Sequence, residues 1–132
     1  MQIIEPSKKM LKHFELARNM ANQNETKFRH GAVLVSNGTV INASANSKRF
    51  CSFAARFRQP SKGLATLHAE MGAILNMPRD VTNNSDIYVV RVNQQNEYRN
   101  SAPCAMCQAA LKFVGVKRVF YSNDDQFEMV KL

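Results

Sequence analysis

The sequence predicts an α/β fold of three layers, α/β/α, built on a mixed sheet. Three observations carry this prediction. Helical and β-rich segments alternate in the order α-β-β-α-β-α-β. The final strand of that order is reached through a helix, and a helical crossover makes two strands of one sheet parallel. The 132 residues, 45% of them hydrophobic and 21% charged, suffice for one packed core and leave no room for two. Residues 1–132 are therefore expected to form a single domain, with a mixed sheet of five-element type whose last two strands are parallel.

Taken in order, Ser7 is an N-cap followed by Met10, Leu11, Phe14, Ala17 and Met20/Ala21 at helical spacing, which predicts a first helix over 7–22. Ala32 to Val35 and Thr39 to Ala45 are β-rich and flank Asn37-Gly38, the dipeptide of tight hairpins, so they form an antiparallel pair. The stretch 46–66 interleaves Arg49, Arg56, Arg58 and Lys62 with Phe50, Phe53 and Phe57, and contains Pro60 and Gly63. It reads as a long loop with at most one helical turn. Loops of that length tend to bind partners, although the phenylalanines also serve to staple a loop to the core. A second helix runs from Leu67 to Met77 and is stopped by Pro78, Asp86 to Val92 is a strand, and 93–102 is a polar loop. The third helix starts at Pro103 or Cys104 and ends near Gly115, and Lys117 to Tyr121 is the last strand.

Composition excludes several classes of function. It is too apolar for a disordered chain, and no apolar run approaches the roughly 18 residues of a membrane span. Glu5, Pro6, Lys8 and Lys9 leave no secretory core at the N-terminus, so a cytoplasmic or nuclear protein without a membrane partner is expected. Three cysteines cannot build a disulfide framework. Eighteen Lys and Arg against ten Asp and Glu give a net charge of +8, which attracts phosphates whether they belong to a nucleotide or to a strand.

Cys104 and Cys107 have the C-x-x-C spacing on the first turn of a helix, where positions i and i+3 share a face. A helix N-terminus favours thiolates, which suits zinc. The same spacing serves redox couples, but those are expected after the first strand of their fold, and this pair follows the third. A catalytic zinc ion needs a third protein ligand and leaves the last position for water. His68, opening the second helix, supplies that ligand if the two helix starts meet at one edge of the sheet; it also fits a plain capping role. Glu70 lies about 200° around an ideal helix from His68, poorly placed to share the ion and better placed to carry protons. A carboxylate beside such an ion makes hydrolysis at an unsaturated C–N centre feasible. Cys51 has no partner motif and reads as a plain loop thiol.

His68-Ala69-Glu70 with Pro103-Cys104-Ala105-Met106-Cys107 resembles the H-x-E and P-C-x-x-C signature of the zinc-dependent cytidine/deoxycytidylate deaminases and their relatives. The resemblance implies a cytidine-deaminase-like domain and Zn2+ held by His68, Cys104 and Cys107. It further implies Glu70 as general acid/base, and a hydrolase that replaces an exocyclic amine by water and releases ammonia. Asn46, ending the second strand, resembles the family asparagine that hydrogen-bonds a sugar or base, and is equally an ordinary turn residue. His30 before Gly31-Ala32-Val33, Ala69 and Ser101 within or beside the two motifs, and Tyr121 with a ring for stacking are further candidate substrate contacts. Arg49, Arg56 and Arg58 are candidate nucleic-acid contacts.

Three substrates or roles compete. The ending Gly115 to Ser122 resembles deoxycytidylate deaminases, which favours a free cytosine nucleotide. Pro-Cys-Ala-Met-Cys and the basic, Phe-bearing loop resemble enzymes acting on tRNA, RNA or single-stranded DNA. The acidic residue that tRNA adenosine deaminases often carry before Pro-Cys is replaced by Ser101-Ala102, and the glycine after their last strand by Ser122-Asn123, so cytosine is the expected base. A non-catalytic zinc-stabilised module is the third reading; structural zinc sites are normally closed by four protein ligands, and Glu70 would have little purpose there. The expected partner is a cytosine-containing nucleotide or single-stranded nucleic acid, and the apolar helices are compatible with a homodimer.

Overall fold

The computed structural model describes residues 2–23, 29–57 and 66–132. Helix α1 (Lys8–Ala21) starts where the sequence predicts, with Ser7 Oγ accepting from the Met10 N–H at 3.2 Å. Its apolar spacing buries His13, Phe14, Ala17 and Ala21 against the sheet. Strands β2 (Arg29–Ser36) and β3 (Thr39–Ala45) form the expected hairpin, with Asn37 and Gly38 both at positive φ, 52° and 78°. Strand β6 (Asp86–Val92) pairs antiparallel with β2 and parallel with β8 (Arg118–Asn123).

Two apolar clusters lie on opposite faces of this sheet, which makes the three layers. On one face Phe14, Ala17 and Ala21 of α1 pack on Val33, Val35, Tyr88, Val90 and Phe120. On the other, helices α3 (Ala69–Ile74) and α5 (Ala105–Phe113) cover Ala32, Leu34, Ile87, Val89 and Val119. Gly31 is required where α1 crosses β2, because a Cβ there would lie 1.9 Å from the Ala17 carbonyl oxygen.

The structure corrects several boundaries. The sheet has seven strands, three more than the four in the predicted order: β1 (Gln2–Ile4), β9 (Gln126–Lys131) and β7 (Tyr98–Arg99) extend it, in the order β1-β9-β8-β6-β2-β3 with β7 on β6. Strand β8 is parallel to its predecessor in the crossover as expected. It is not the last strand, since β9 follows it antiparallel through a turn at Asp124-Asp125, where Asp124 takes φ 55°. The expected loop 46–66 contains strand β4 (Ser47–Phe50), helix α2 (Ser52–Ala55) and strand β5 (Thr66–Leu67), with β4 and β5 paired. The second helix is shorter than predicted; it ends at Ile74, and Asn76 takes φ 64° before α4 (Arg79–Thr82). Among the described residues no helix is long and apolar enough to cross a membrane.

Candidate active site

His68 and Cys104 are the N-cap residues of α3 and α5, both in extended conformation, and neither side chain caps its own helix. Each is thereby left to point at the other. Cys104 Sγ lies 3.8 Å and Cys107 Sγ 3.3 Å from His68 Nδ1. The three donor atoms all fall within 4.8 Å of one another, the only such cluster among the described residues. One imidazole and two thiols at this separation match the donor set of a catalytic zinc site with one position left over.

Charge at the site is organised by burial and by these contacts. Cys104 is held down to about 4, first by a hydrogen bond from Cys107, while the same bond, with burial, pushes the Cys107 thiol up. An ion held between the two sulfurs needs both as thiolates. His68 is raised, chiefly by its hydrogen bond with Cys104. Glu70, only 5% exposed, has its carboxyl raised above the usual range by burial, against the opposing pull of its own backbone N–H and of His68. It also shares a hydrogen bond with Cys107. Because His68 precedes the helix, the 200° separation inferred from an ideal helix does not apply; both side chains reach Cys107 from the same helix start. Asn42 of β3 holds that helix by donating to Ala73 O at 3.1 Å.

The remaining candidates separate. His30 lies close enough to His68 and Cys104 to feel their charge, and burial followed by Arg91 lowers it to about 4, so it is a neutral ring at the site. Asn46 Oδ1 accepts from the His30 N–H at 2.9 Å, which fixes the end of β3 beside β2. The Ala69 methyl is wholly buried in the core, and its backbone N–H belongs to the open first turn of α3. Ser101 was expected to contact substrate, but its hydroxyl is buried: Oγ lies 2.9 Å from Val89 O and Ser122 Oγ and 3.1 Å from Ser122 O. Tyr121 lies inside β8 rather than at a strand end, 3% exposed, with its hydroxyl donating to Glu128 at 3.5 Å, so no ring face is open for stacking.

The arginine loop also divides. Arg49 is exposed on β4. Arg56 sits over Phe53, Phe57 and Phe113, at 5.5, 5.7 and 5.3 Å from the ring centroids. Phe113 ends α5, about 12 Å along the helix from Ala105, so Arg56 braces the far end of α5 from Cys104. Arg58 lies outside the described residues. Cys51 is buried, its sulfur accepting from the Ala54 N–H at the start of α2.

Two residues at the site escape the sequence reading. Ser122 is fully buried, donates from Oγ to Arg99 O at 2.7 Å and receives the Arg91 N–H at 3.3 Å, locking β6, β7 and β8 together beneath the segment that leads to Cys104. Arg91 is the one charge inside an otherwise apolar run at the carboxyl end of β6, which was the available signal.

Fold and site together define a zinc-dependent hydrolase of the nucleobase deaminase class. The family defined as the cytidine and deoxycytidylate deaminase zinc-binding region matches residues 5–123, and the chain belongs to it. Zinc is its metal, and its chemistry is hydrolysis of C–N bonds. The fold is similar to dCMP deaminase from the cyanophage S-TIM5 in its apo form, at TM-score 0.62 and 20% identity over 92% of this chain and 87% of that one. It is also similar to cytidine deaminase from Mycobacterium tuberculosis, at TM-score 0.54 and 15% identity over 89% and 88% of the two chains. No curated protein matches the chain in sequence.

Proposed function

We propose that His68, Cys104 and Cys107 hold zinc, that Glu70 moves protons, and that the substrate is cytosine in a nucleotide or a single-stranded nucleic acid, converted to uracil. Residues 1–132 act as one deaminase domain in the cytoplasm or nucleus. The observation that carries this reading is the meeting of two helix N-caps at one point, with a buried carboxylate beside them. Zinc, when bound, supplies a Lewis acid that lowers the pKa of water toward about 7.

The protein residues do the rest. Burial raises Glu70 above its usual range, which suits a group that accepts a proton from water and returns it to the ring and the departing amine. Water adds at the carbon bearing the amine, the C–N bond breaks, and ammonia leaves with the delivered proton. His30, kept neutral, lines the approach without competing for an anion. Ser101-Ala102 before Pro103 and Ser122-Asn123 at the end of β8 depart from the adenosine-type pattern and support cytosine.

The test is a panel of cytosine, cytidine, dCMP, single-stranded DNA, RNA and tRNA assayed for deaminated product with the zinc-loaded protein. Uracil product from dCMP or a strand is expected. Inosine in tRNA as the sole product would move the assignment to adenosine, and no product from any member despite bound zinc would leave a binding module. Glu70→Gln should keep zinc and lose about 10²–10⁴-fold in turnover; a near-normal rate would remove the proton role.

A further inference from the structure

Strand β3 is an edge of the main sheet, paired with β2 alone among the described residues. Its register slips once. Val40 stands opposite Val35 and Asn42 opposite Leu34, so Ile41 is an extra residue, a bulge, between them. Opposed residues of an antiparallel pair share a face. Val33 and Val35 pack in the cluster under α1, whereas Leu34 packs in the cluster under α3 and α5. Without the extra residue Asn42 would stand opposite Val33 and face α1. The bulge turns it toward α3 instead, as bulges beside functional sites re-aim a side chain.

What Asn42 meets there is the end of a helix. The ladder of α3 closes with the Leu75 N–H on Met71 O at 2.9 Å, and Leu75 itself is extended, with ψ 130°. Asn76 takes φ 64°, and the Met77 N–H turns back to Ile74 O at 3.1 Å. Gly72 O and Ala73 O are the two carbonyls that a longer helix would give to the N–H groups of residues 76 and 77. Asn42 Nδ2 donates to both, at 3.4 and 3.1 Å. One amide from another element thus takes the place of a missing turn. The helix is short, six residues or about 9 Å, and helices of that length have little stability of their own. Its opposite end carries His68 as N-cap, with no side-chain cap bond, and Glu70 in the first turn.

We propose that Asn42 is a positioning residue of the active site: from the sheet edge it fixes the far end of α3, and so sets where His68 and Glu70 stand relative to Cys104 and Cys107. What those four groups do rests on the deaminase reading; that an edge-strand amide governs their spacing goes beyond it.

The experiment compares zinc-loaded wild type with Asn42→Asp and Asn42→Ala. Asp keeps the shape and replaces the donor by an acceptor facing two carbonyl oxygens. Ala removes the donor without adding charge, so the test stands if the Asp variant fails to fold. Three quantities are measured where urea midpoints show the proteins folded: zinc release to a chelator, hydrogen exchange of the amides in 69–77 and 105–113, and kcat and KM on the substrate that is turned over. We expect zinc to leave about tenfold faster from the variants. Amides in 69–77 should exchange faster while those in 105–113 stay as in wild type, and kcat should fall about tenfold with KM little changed. Zinc release and kcat at wild-type values overturn the proposal even if the urea midpoint drops, since Asn42 then only stabilises the fold. Unchanged exchange in 69–77 overturns it too, because core packing alone would hold α3. If wild type takes up no zinc, the reading of the site fails and the anchor with it. If zinc binds and leaves at a rate independent of Asn42, only the anchor fails.

Discussion

Ser101 Oγ has Val89 O, Ser122 O and Ser122 Oγ as neighbours within 3.1 Å, inside the protein, three residues before Cys104. Removing that hydroxyl leaves the buried Ser122 N–H, which donates to it at 3.0 Å, without its acceptor, at about 1–3 kcal/mol. Ser101→Ala should therefore lower the urea midpoint and also speed zinc loss to a chelator, because the segment delivering Cys104 loses its anchor. Chelation at the wild-type rate would reduce Ser101 to a packing residue. His13 offers a second test at this scale. Burial, and then Lys9, lowers its pKa, so the folded state holds the proton less firmly than the unfolded chain, whose ring titrates near 6.5. The unfolded state then binds more protons below that pH, and stability falls as pH drops from 7 toward 5. Denaturant midpoints for His13→Gln should show a shallower fall over this window than wild type; identical slopes would clear His13 of any part in acid sensitivity.

Packing of α1 on β2 depends on the missing side chain at Gly31. In Gly31→Ala the new methyl meets backbone of α1 rather than a flexible side-chain end, so the helix must shift. A loss of about 1–3 kcal/mol is expected by thermal or denaturant unfolding, and an unchanged midpoint would mean the helix yields freely. Elements such as α1 and the Asn37-Gly38 hairpin are legible in sequence because local chemistry alone specifies them, a cap with 3.6-residue spacing in one case and a turn dipeptide in the other. The cluster of His68, Cys104 and Cys107 that could hold a metal is legible for the same reason: each motif sits at a helix start. Strands β1, β9 and β7 are two to six residues long and acquire their identity from partners distant in sequence, which no local pattern announces. Tyr121 is not at a strand end, because β8 continues to Asn123, and its ring is buried in the cluster that α3 and α5 form on the sheet. The alternation Phe127, Met129 against Glu128, Val130 after an Asp-Asp turn was too mixed in polarity to read as a strand, since Glu128 is buried against Tyr121 and Asn123.

For the molecule as a whole, the +8 charge bears on how a substrate is captured. Each phosphate contact to a strand releases counterions, so affinity for a single-stranded oligonucleotide should fall with salt more steeply than affinity for dCMP. Fluorescence titrations between about 50 and 200 mM salt check this, and equal, shallow slopes would remove a polymer substrate. Arg56 is committed to three rings, so the charge that acts on such a strand must come from elsewhere on the surface.

The pairing of β1 with β9 sets Gln2 across from Met129 and Ile4 across from Phe127, joining residues near opposite ends of the sequence by backbone hydrogen bonds. Those bonds make β1 the rim of the sheet and shield the flank of β9, whose backbone groups would otherwise stand open to pairing with another chain.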